Sequence, residues 1–159
     1  MAVEIERKFL VTGDAWREAA RESRRMRQGY LAVNDECTVR VRLDGDRARL
    51  NIKSSGLDIE RQEYEYEIDP GDAAEMLDTL CARRIVDKTR YFVEFRGHTF
   101  EVDEFHGDNA GLVVAEVELA ARDEVFARPP WLGEEVSGDP RYLNSNLAGH
   151  PYRQWPGVT

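Results

Sequence analysis

EIERK, residues 4–8, places Glu4, Glu6 and Lys8 at every second position of a segment with strand character. Alternate residues of a β-strand project to the same face of the sheet, so these three charged side chains are predicted to share one face. On an open sheet that face is simply solvated. Inside a closed barrel the same three charges would form an ion-binding surface.

The division into a charged face and an apolar face recurs along the chain. In RVRL, Arg40 and Arg42 alternate with Val41 and Leu43. Such alternation predicts strands near 2–10, 27–33, 37–43, 46–54, 60–68, 84–96, 98–105 and 112–120. Apolar spacing predicts helices over 14–24 and 70–83, with short helices near 122 and near 141.

Two arrangements of these strands are compatible with the alternation. One is an open antiparallel sheet with its charged face in solvent and its apolar face packed on helices. Two features favour a closed barrel instead. Eight strands can close and remove exposed edges. A solvated face would also mix charge signs, whereas like charges here are neighbours at Glu4/Glu6, Arg40/Arg42, Glu63/Glu65/Glu67 and Glu116/Glu118. The predicted fold is therefore α+β, an eight-stranded antiparallel β-barrel with a charged interior and helices packed outside.

Composition narrows the functional classes. The 159 residues predict one domain, over 1–159, and the 31 acidic and 22 basic residues give a net charge of −9. This balance argues against nucleic-acid or anionic-membrane partners. The N-terminus starts a charged strand pattern where a signal peptide needs an apolar region, so we expect a cytoplasmic protein. Cys37 and Cys81 are expected to be reduced, packed thiols, and the scattered histidines leave carboxylate-bound cations as the expected metals.

A barrel interior of this kind would hold carboxylates on some walls and Arg or Lys side chains on others. Guanidinium and ammonium groups bind phosphate oxygens, while carboxylates hold divalent cations that bridge other oxygens. A polyphosphate with divalent cations complements both walls. The charge pattern therefore predicts such a ligand if the barrel closes.

The sequence also resembles a known family over essentially its whole length. The motif Glu4-x-Glu6-x-Lys8 is similar to the signature of the CYTH, or triphosphate tunnel metalloenzyme, superfamily. Further segments match short bacterial members in the same order: RQGYL at 27–31, TVRVR at 38–42, IKS at 52–54, RQEYEYEI at 61–68, DKTRY at 87–91, VDEFHG at 102–107, LVVAEVEL at 112–119 and WLGEEVSGDPRYLNSNLA at 131–148.

The resemblance implies a single tunnel domain that hydrolyses a small-molecule triphosphate with Mg²⁺ or Mn²⁺. The ending WLGEEVSGDPRYLNSNLA is most similar to the inorganic triphosphatases, which implies conversion of tripolyphosphate to pyrophosphate and phosphate. Thiamine triphosphatase activity, adenylate cyclase activity of class IV and non-catalytic binding of polyphosphate or nucleotide stay open as alternatives. A homodimer is the commonest default for the assembly.

The resemblance also implies roles for particular residues. Lys88 would position or deprotonate the attacking water, in addition to contacting phosphate. Glu63 and Glu65 would be outer-shell acceptors for basic groups or metal-bound waters, or would only pair with facing arginines. The metal ligands would be Glu4, Glu6, Glu116 and Glu118, with Asp103 helping to orient a second ion or its water, and the phosphate-binding residues would be Lys8, Arg40, Arg42, Lys53, Lys88 and Arg90.

Overall fold

The order of strands and helices is taken from a computed structural model, which describes residues 2–81 and 84–158. Short 3-10 turns lie at Gly107–Asn109, Pro140–Tyr142 and Tyr152–Gln154. The strands and α-helices are β1 Val3–Val11, α1 Trp16–Ala19, β2 Ala20–Val33, β3 Cys37–Asp44, β4 Arg47–Ser54, β5 Glu60–Ile68, α2 Pro70–Thr79, β6 Ile85–Phe95, β7 His98–Phe105, β8 Val113–Glu118, β9 Leu132–Glu135 and α3 Asn144–Gly149.

Eight of these strands close into an antiparallel barrel, in the order β5-β4-β3-β2-β6-β7-β8-β1. The first strand closes the ring, because Val3 of β1 pairs with Gln62 of β5 while Glu6 pairs with Glu118 of β8 on the other side. The predicted eight-stranded barrel is therefore confirmed. The short strand β9 was not predicted; it pairs with the C-terminal half of β1, where Phe9 faces Glu135.

The outer face of the barrel carries the apolar side chains that were predicted to oppose the charges. Helix α2 packs on β3 and β4, and its Leu77 lies in a cluster with Val41, Ala48 and Cys81. Both cysteines are free thiols. A second apolar cluster, around Phe9, Trp16, Phe100 and Trp131, covers the opposite wall.

The C-terminal segment covers one end of the barrel. Tyr142, Leu147 and Trp155 pack in one buried cluster against Tyr30 of β2 and Val86 of β6. Tyr142 and Trp155 make an edge-to-face contact, with ring centroids 5.1 Å apart, which stabilises the packing within this segment. One end of the charged interior is therefore closed by side chains from outside the barrel strands.

The predicted helix over 14–24 is wrong over most of its length. A helix spans only Trp16–Ala19, and Ala20 begins a strand of 14 residues. Residues 20–29 pair with β6 from Ala20–Val93 to Gly29–Ile85. Hydrogen bonding to the distant strand β6 outweighs the helical spacing of a few apolar residues, which was the basis for the prediction.

The other helix predictions are met in part. Helix α2 begins at Pro70, as predicted, and its N-cap Asp69 accepts a hydrogen bond from the Asp72 backbone. It ends at Thr79, and the predicted positions 82 and 83 lie outside the described residues. No helix is found near 122 in the described chain, where the backbone forms turns. Near 141 a 3-10 turn precedes the short helix α3.

Within residues 2–81 and 84–158, no helix is long and apolar enough to cross a membrane.

Leu77→Ala should destabilise the fold, because Leu77 is 1% exposed and its removal leaves a cavity between α2 and the barrel. We expect a loss of about 2–5 kcal/mol in the free energy of unfolding, measured by urea denaturation. Leu80→Ala is the matched control, since Leu80 is 65% exposed in the same segment and should cost about 0.5 kcal/mol or less. Equal losses in the two variants would contradict this packing.

Candidate functional site

The inner faces of the eight barrel strands enclose a cavity of about 290 Å³. Asp103 alone among the predicted site residues does not line it. The predicted residues that do line the cavity are Glu4, Glu6, Lys8, Arg40, Arg42, Lys53, Glu63, Glu65, Lys88, Arg90, Glu116 and Glu118. The barrel thus brings together side chains that lie more than 100 positions apart in the sequence.

One side of the cavity is basic. Arg42 Nε donates to the carboxamide oxygen of Gln28 at 3.1 Å, and both residues lie on neighbouring strands. Burial and, to a smaller extent, the charges of Arg40 and Arg90 together lower the pKa of Arg42 to about 9. Arg40 Nε is buried and has no hydrogen-bond partner in the described part of the chain. This wall therefore holds one cationic donor, Arg40 Nε, that the described residues do not satisfy.

Asp103 of β7 lies beside the basic wall, directly opposite Arg90 of β6, and is fully buried. Its Oδ1 accepts from Arg90 Nε at 2.8 Å, and its Oδ2 accepts from Lys88 Nζ at 2.8 Å and from Arg90 Nη2 at 2.9 Å. Burial alone would raise the pKa of Asp103, but Arg90 and Lys88 lower it. Burial, together with the charges of Arg90 and Arg42, lowers the pKa of Lys88 to about 7, although the Asp103 carboxylate acts in the opposite direction. One carboxylate is thus shared between two buried cations.

The opposite side of the cavity is acidic. Glu6 of β1 faces Glu118 of β8 across the strand pair. Burial raises the pKa of Glu6 well above its usual range, and the charges of Glu116 and Glu4 raise it further. Burial also raises the pKa of Glu118, with Glu4 and Glu101 adding to the effect. Burial and other carboxylates nearby therefore disfavour the charged forms of both Glu6 and Glu118.

The other two acidic residues have basic partners. Glu4 accepts from Lys53 Nζ at 2.7 Å, and Glu116 lies 3.5 Å from Lys8 Nζ. Burial alone would raise the pKa of Glu116, but Lys8 and Arg90 hold it well below its usual range. Lys8 and Glu116 are directly opposite residues of the paired strands β1 and β8, whereas Lys53 reaches Glu4 from β4.

Comparison with known proteins identifies the architecture. The family model described as the CYTH domain matches residues 2–146. The chain belongs to the CYTH domain family. The family prediction made from the sequence is confirmed.

Relatives of this CYTH protein cover nearly its whole length. A protein of Acetivibrio thermocellus named inorganic triphosphatase is 48% identical and spans 98% of this chain and 99% of its own. A protein of Nitrosomonas europaea with the same name is 41% identical over 91% of this chain and 96% of its own. The crystal structure of an inorganic triphosphatase matches with a TM-score of 0.69 and 38% identity, and covers 93% of this chain and 95% of that one.

Several residues of the CYTH cavity were not singled out from the sequence. Glu101 pairs with Arg90 at the cavity edge, and its position on the same strand face as Asp103 was the available signal. Gln28 lies beside the cavity, where it is fully buried and accepts from Arg42; it falls within the predicted strand 27–33, but its neutral side chain gave no charge signal. Asn144 lines the cavity from the C-terminal segment, and no strand pattern could place it there.

The donor set fits a hard divalent cation, although the carboxylates are not drawn together around a centre. Within residues 2–81 and 84–158 no three Asp, Glu, His or Cys side chains are arranged as a metal site as they stand. Glu4 and Glu116 point instead to Lys53 and Lys8. Oxygen ligands suit Mg²⁺ and Mn²⁺, and the four carboxylates Glu4, Glu6, Glu116 and Glu118 supply such ligands along one side of the cavity.

Asp103→Asn should destabilise the protein strongly, because Lys88 and Arg90 would lose the one fully buried carboxylate that they share. We expect a loss of about 3–5 kcal/mol in the free energy of unfolding by urea denaturation. Asp87→Asn is the matched control, since Asp87 pairs with the exposed Arg25 and should cost about 1 kcal/mol or less. A loss at Asp103 no larger than at Asp87 would refute the structural importance of this buried pair.

Proposed function

We propose that this CYTH protein hydrolyses inorganic tripolyphosphate to pyrophosphate and phosphate, using Mg²⁺ or Mn²⁺. The observation that carries the proposal is the presence of unsatisfied charges of both signs in one enclosed cavity. Arg40 Nε is a buried donor without a partner among the described residues, and burial together with neighbouring carboxylates raises the pKa values of Glu6 and Glu118. A triphosphate with its divalent cation neutralises both walls at once.

The basic wall is proposed to bind the phosphate oxygens. Arg40 and Arg42 lie two residues apart on β3 and both line the cavity, so each planar guanidinium can donate two parallel hydrogen bonds. The ammonium groups add compact positive charge without this directionality. The proposed phosphate-binding residues are Lys8, Arg40, Arg42, Lys53, Lys88 and Arg90.

The acidic wall is proposed to hold the cation through Glu4, Glu6, Glu116 and Glu118. A bound divalent cation would neutralise charge on the transferred phosphoryl group and lower the pKa of a water molecule. The carboxylates come from two paired strands, β1 and β8, whose backbone hydrogen bonds fix their spacing. The chain's own contribution is therefore a rigid set of oxygen donors opposite the phosphate grip.

Asp103 is proposed to position basic residues rather than to hold metal. Both of its oxygens are occupied by Lys88 and Arg90, and it does not line the cavity. Glu63 and Glu65 are proposed to act as outer-shell acceptors. Glu63 lies 3.3 Å from Lys53 Nζ, and Glu65 lies 3.2 Å from Arg49.

Lys88 is the proposed catalytic residue. It lines the cavity while its ammonium is held by Asp103. Burial lowers its pKa to about 7, so close to neutral pH part of the population carries a neutral amine that can accept a proton. This amine would position or deprotonate the attacking water while the guanidinium groups hold the phosphates in place.

The substrate assignment rests on the relatives that carry the name inorganic triphosphatase at 48% and 41% identity. The remaining proposals concern the whole molecule. We propose that residues 1–159 form one domain and that its partner is a small-molecule triphosphate, with no nucleic-acid or membrane partner. A cytoplasmic location and a homodimer stay predictions.

Purified protein should release phosphate from tripolyphosphate with Mg²⁺ or Mn²⁺, and excess EDTA should abolish the release. Thiamine triphosphate and ATP, assayed in parallel, should be poorer substrates. Glu118→Gln should lower the rate about a hundredfold or more, because it removes a charged oxygen ligand. Glu104→Gln is the matched control, since Glu104 pairs with Arg17 outside the cavity. Undiminished activity in EDTA would exclude the metal, and cyclic AMP formed from ATP would indicate a cyclase.

Substitutions in the basic wall should distinguish residues that bind phosphate from the residue that acts in the reaction. Arg42→Ala should weaken tripolyphosphate binding about tenfold to a hundredfold, because a charged hydrogen bond contributes about 1.5–3 kcal/mol. Arg42→Lys should recover only part of this, since an ammonium cannot reproduce the paired donors. Lys88→Ala should instead lower kcat more than affinity.

Calorimetry with Ca²⁺ in place of Mg²⁺ measures the affinities, and steady-state rates with Mg²⁺ measure kcat. If Lys88→Ala weakens binding as much as Arg42→Ala and leaves kcat unchanged, then Lys88 is a further phosphate-binding residue. Its proposed catalytic role would then be wrong.

A further inference from the structure

The C-terminal segment contributes one side chain to the interior of the barrel. Asn144 is the first residue of α3 and lines the cavity, with Leu143 and Ser145 on either side of it. The segment is held from behind, because Leu147 is fully buried in the cluster that covers this end of the barrel. Asn144 is therefore presented to the basic wall by a firmly packed support.

The carboxamide oxygen of Asn144 accepts two hydrogen bonds from different strands. Lys88 Nζ donates to it at 3.2 Å, and Gln28 Nε2 donates to it at 3.3 Å. Gln28 in turn accepts from Arg42 Nε at 3.1 Å. One neutral oxygen thus connects the proposed catalytic lysine with an arginine of the proposed phosphate grip.

A neutral acceptor is well suited to this position. Lys88 already shares the Asp103 carboxylate with Arg90. Because an ammonium group carries three N–H donors, Lys88 can donate to a further acceptor. Asn144 satisfies that donor from the side of the C-terminal segment without adding charge to the cavity. The two acceptors together define the direction of the Lys88 Nζ atom, which neither could do alone.

We propose that Asn144 is a positioning residue that aims Lys88 at the reacting phosphoryl group and, through Gln28, keeps Arg42 in register with it. The proposal rests on the proposed triphosphatase activity. It assigns a functional role to a segment outside the barrel strands. Loss of the Asn144 oxygen would let the Lys88 ammonium turn toward Asp103 alone.

The same short helix supplies a matched control. Asn146 lies two residues further on and is exposed, and its side chain donates to the Pro140 backbone oxygen at 2.6 Å. It serves only the local turn. A purely structural role for Asn144 would make the two asparagines equivalent, whereas a positioning role makes them different.

The test compares Asn144→Leu with Asn146→Leu in the tripolyphosphate assay. Asn144→Leu should lower kcat about tenfold to a hundredfold, because a hydrogen bond to a charged group is lost, and should change KM less than about threefold. Asn146→Leu should leave kcat and KM unchanged. Asn144→Asp keeps the acceptor oxygen and should recover most of kcat, while its negative charge raises KM by repelling phosphate.

A double substitution tests the route through Lys88. In a Lys88→Ala background, Asn144→Leu should lower kcat by less than about threefold, because the group that it positions is absent. Equal effects of Asn144→Leu and Asn146→Leu, or an undiminished effect in the Lys88→Ala background, would overturn the positioning role. If Asn144→Leu unfolds at a lower urea concentration than the parent protein, the kcat of Asn144→Asp alone tests the positioning role. A kcat of Asn144→Asp as low as that of Asn144→Leu would then overturn the role. An inactive parent protein would instead overturn the proposed function, and this role with it.

Discussion

The structure depends on the cost of enclosing charge. Closing the barrel through the pairing of β1 with β5 removes the sheet edges, but it also traps cationic and anionic side chains in one small cavity. Such charges stay ionised only where they are paired or where a ligand supplies the missing charge. The Asp103 carboxylate meets this need for Lys88 and Arg90, and Lys53 meets it for Glu4. The charged groups that these pairs leave unsatisfied determine which charges the ligand must carry.

The unsatisfied groups are divided between the two walls of the cavity. On the basic side, Arg40 Nε is a buried donor with no hydrogen-bond partner in residues 2–81 and 84–158. On the acidic side, burial and the charge of Glu4, among other carboxylates, raise the pKa values of Glu6 and Glu118. A polyanion alone would satisfy the first wall and repel the second, and a cation alone would do the reverse. The metal complex of a short polyphosphate satisfies both. The same separation explains why phosphate binding and water activation are assigned to different residues.

The barrel and most of the cavity could be predicted from the sequence because strand alternation assigns each residue to one of two faces. That rule placed Glu4, Arg42 and Glu118 on a charged face, and the like-charge neighbours, the strand count and the CYTH resemblance indicated that this face lines a closed barrel. The rule does not report depth: Asp103 was predicted to help orient a second ion or its water, and its fully buried carboxylate accepts from Lys88 and Arg90. The helix predicted over 14–24 failed because pairing with β6 is a long-range interaction. Asn144 could not be found, since only tertiary packing brings α3 to the cavity.

A crystal structure of the protein with tripolyphosphate and Ca²⁺ tests the central claim most directly, because Ca²⁺ replaces the catalytic cation and preserves the substrate. The charge distribution predicts the anion inside the barrel, with a phosphate oxygen within hydrogen-bond distance of Arg40 and Arg42. It predicts the cation on Glu6 and Glu118, with Asp103 still bound to Lys88. An anion bound on the outer surface, or a cation bound away from these carboxylates, would contradict the assignment of the cavity.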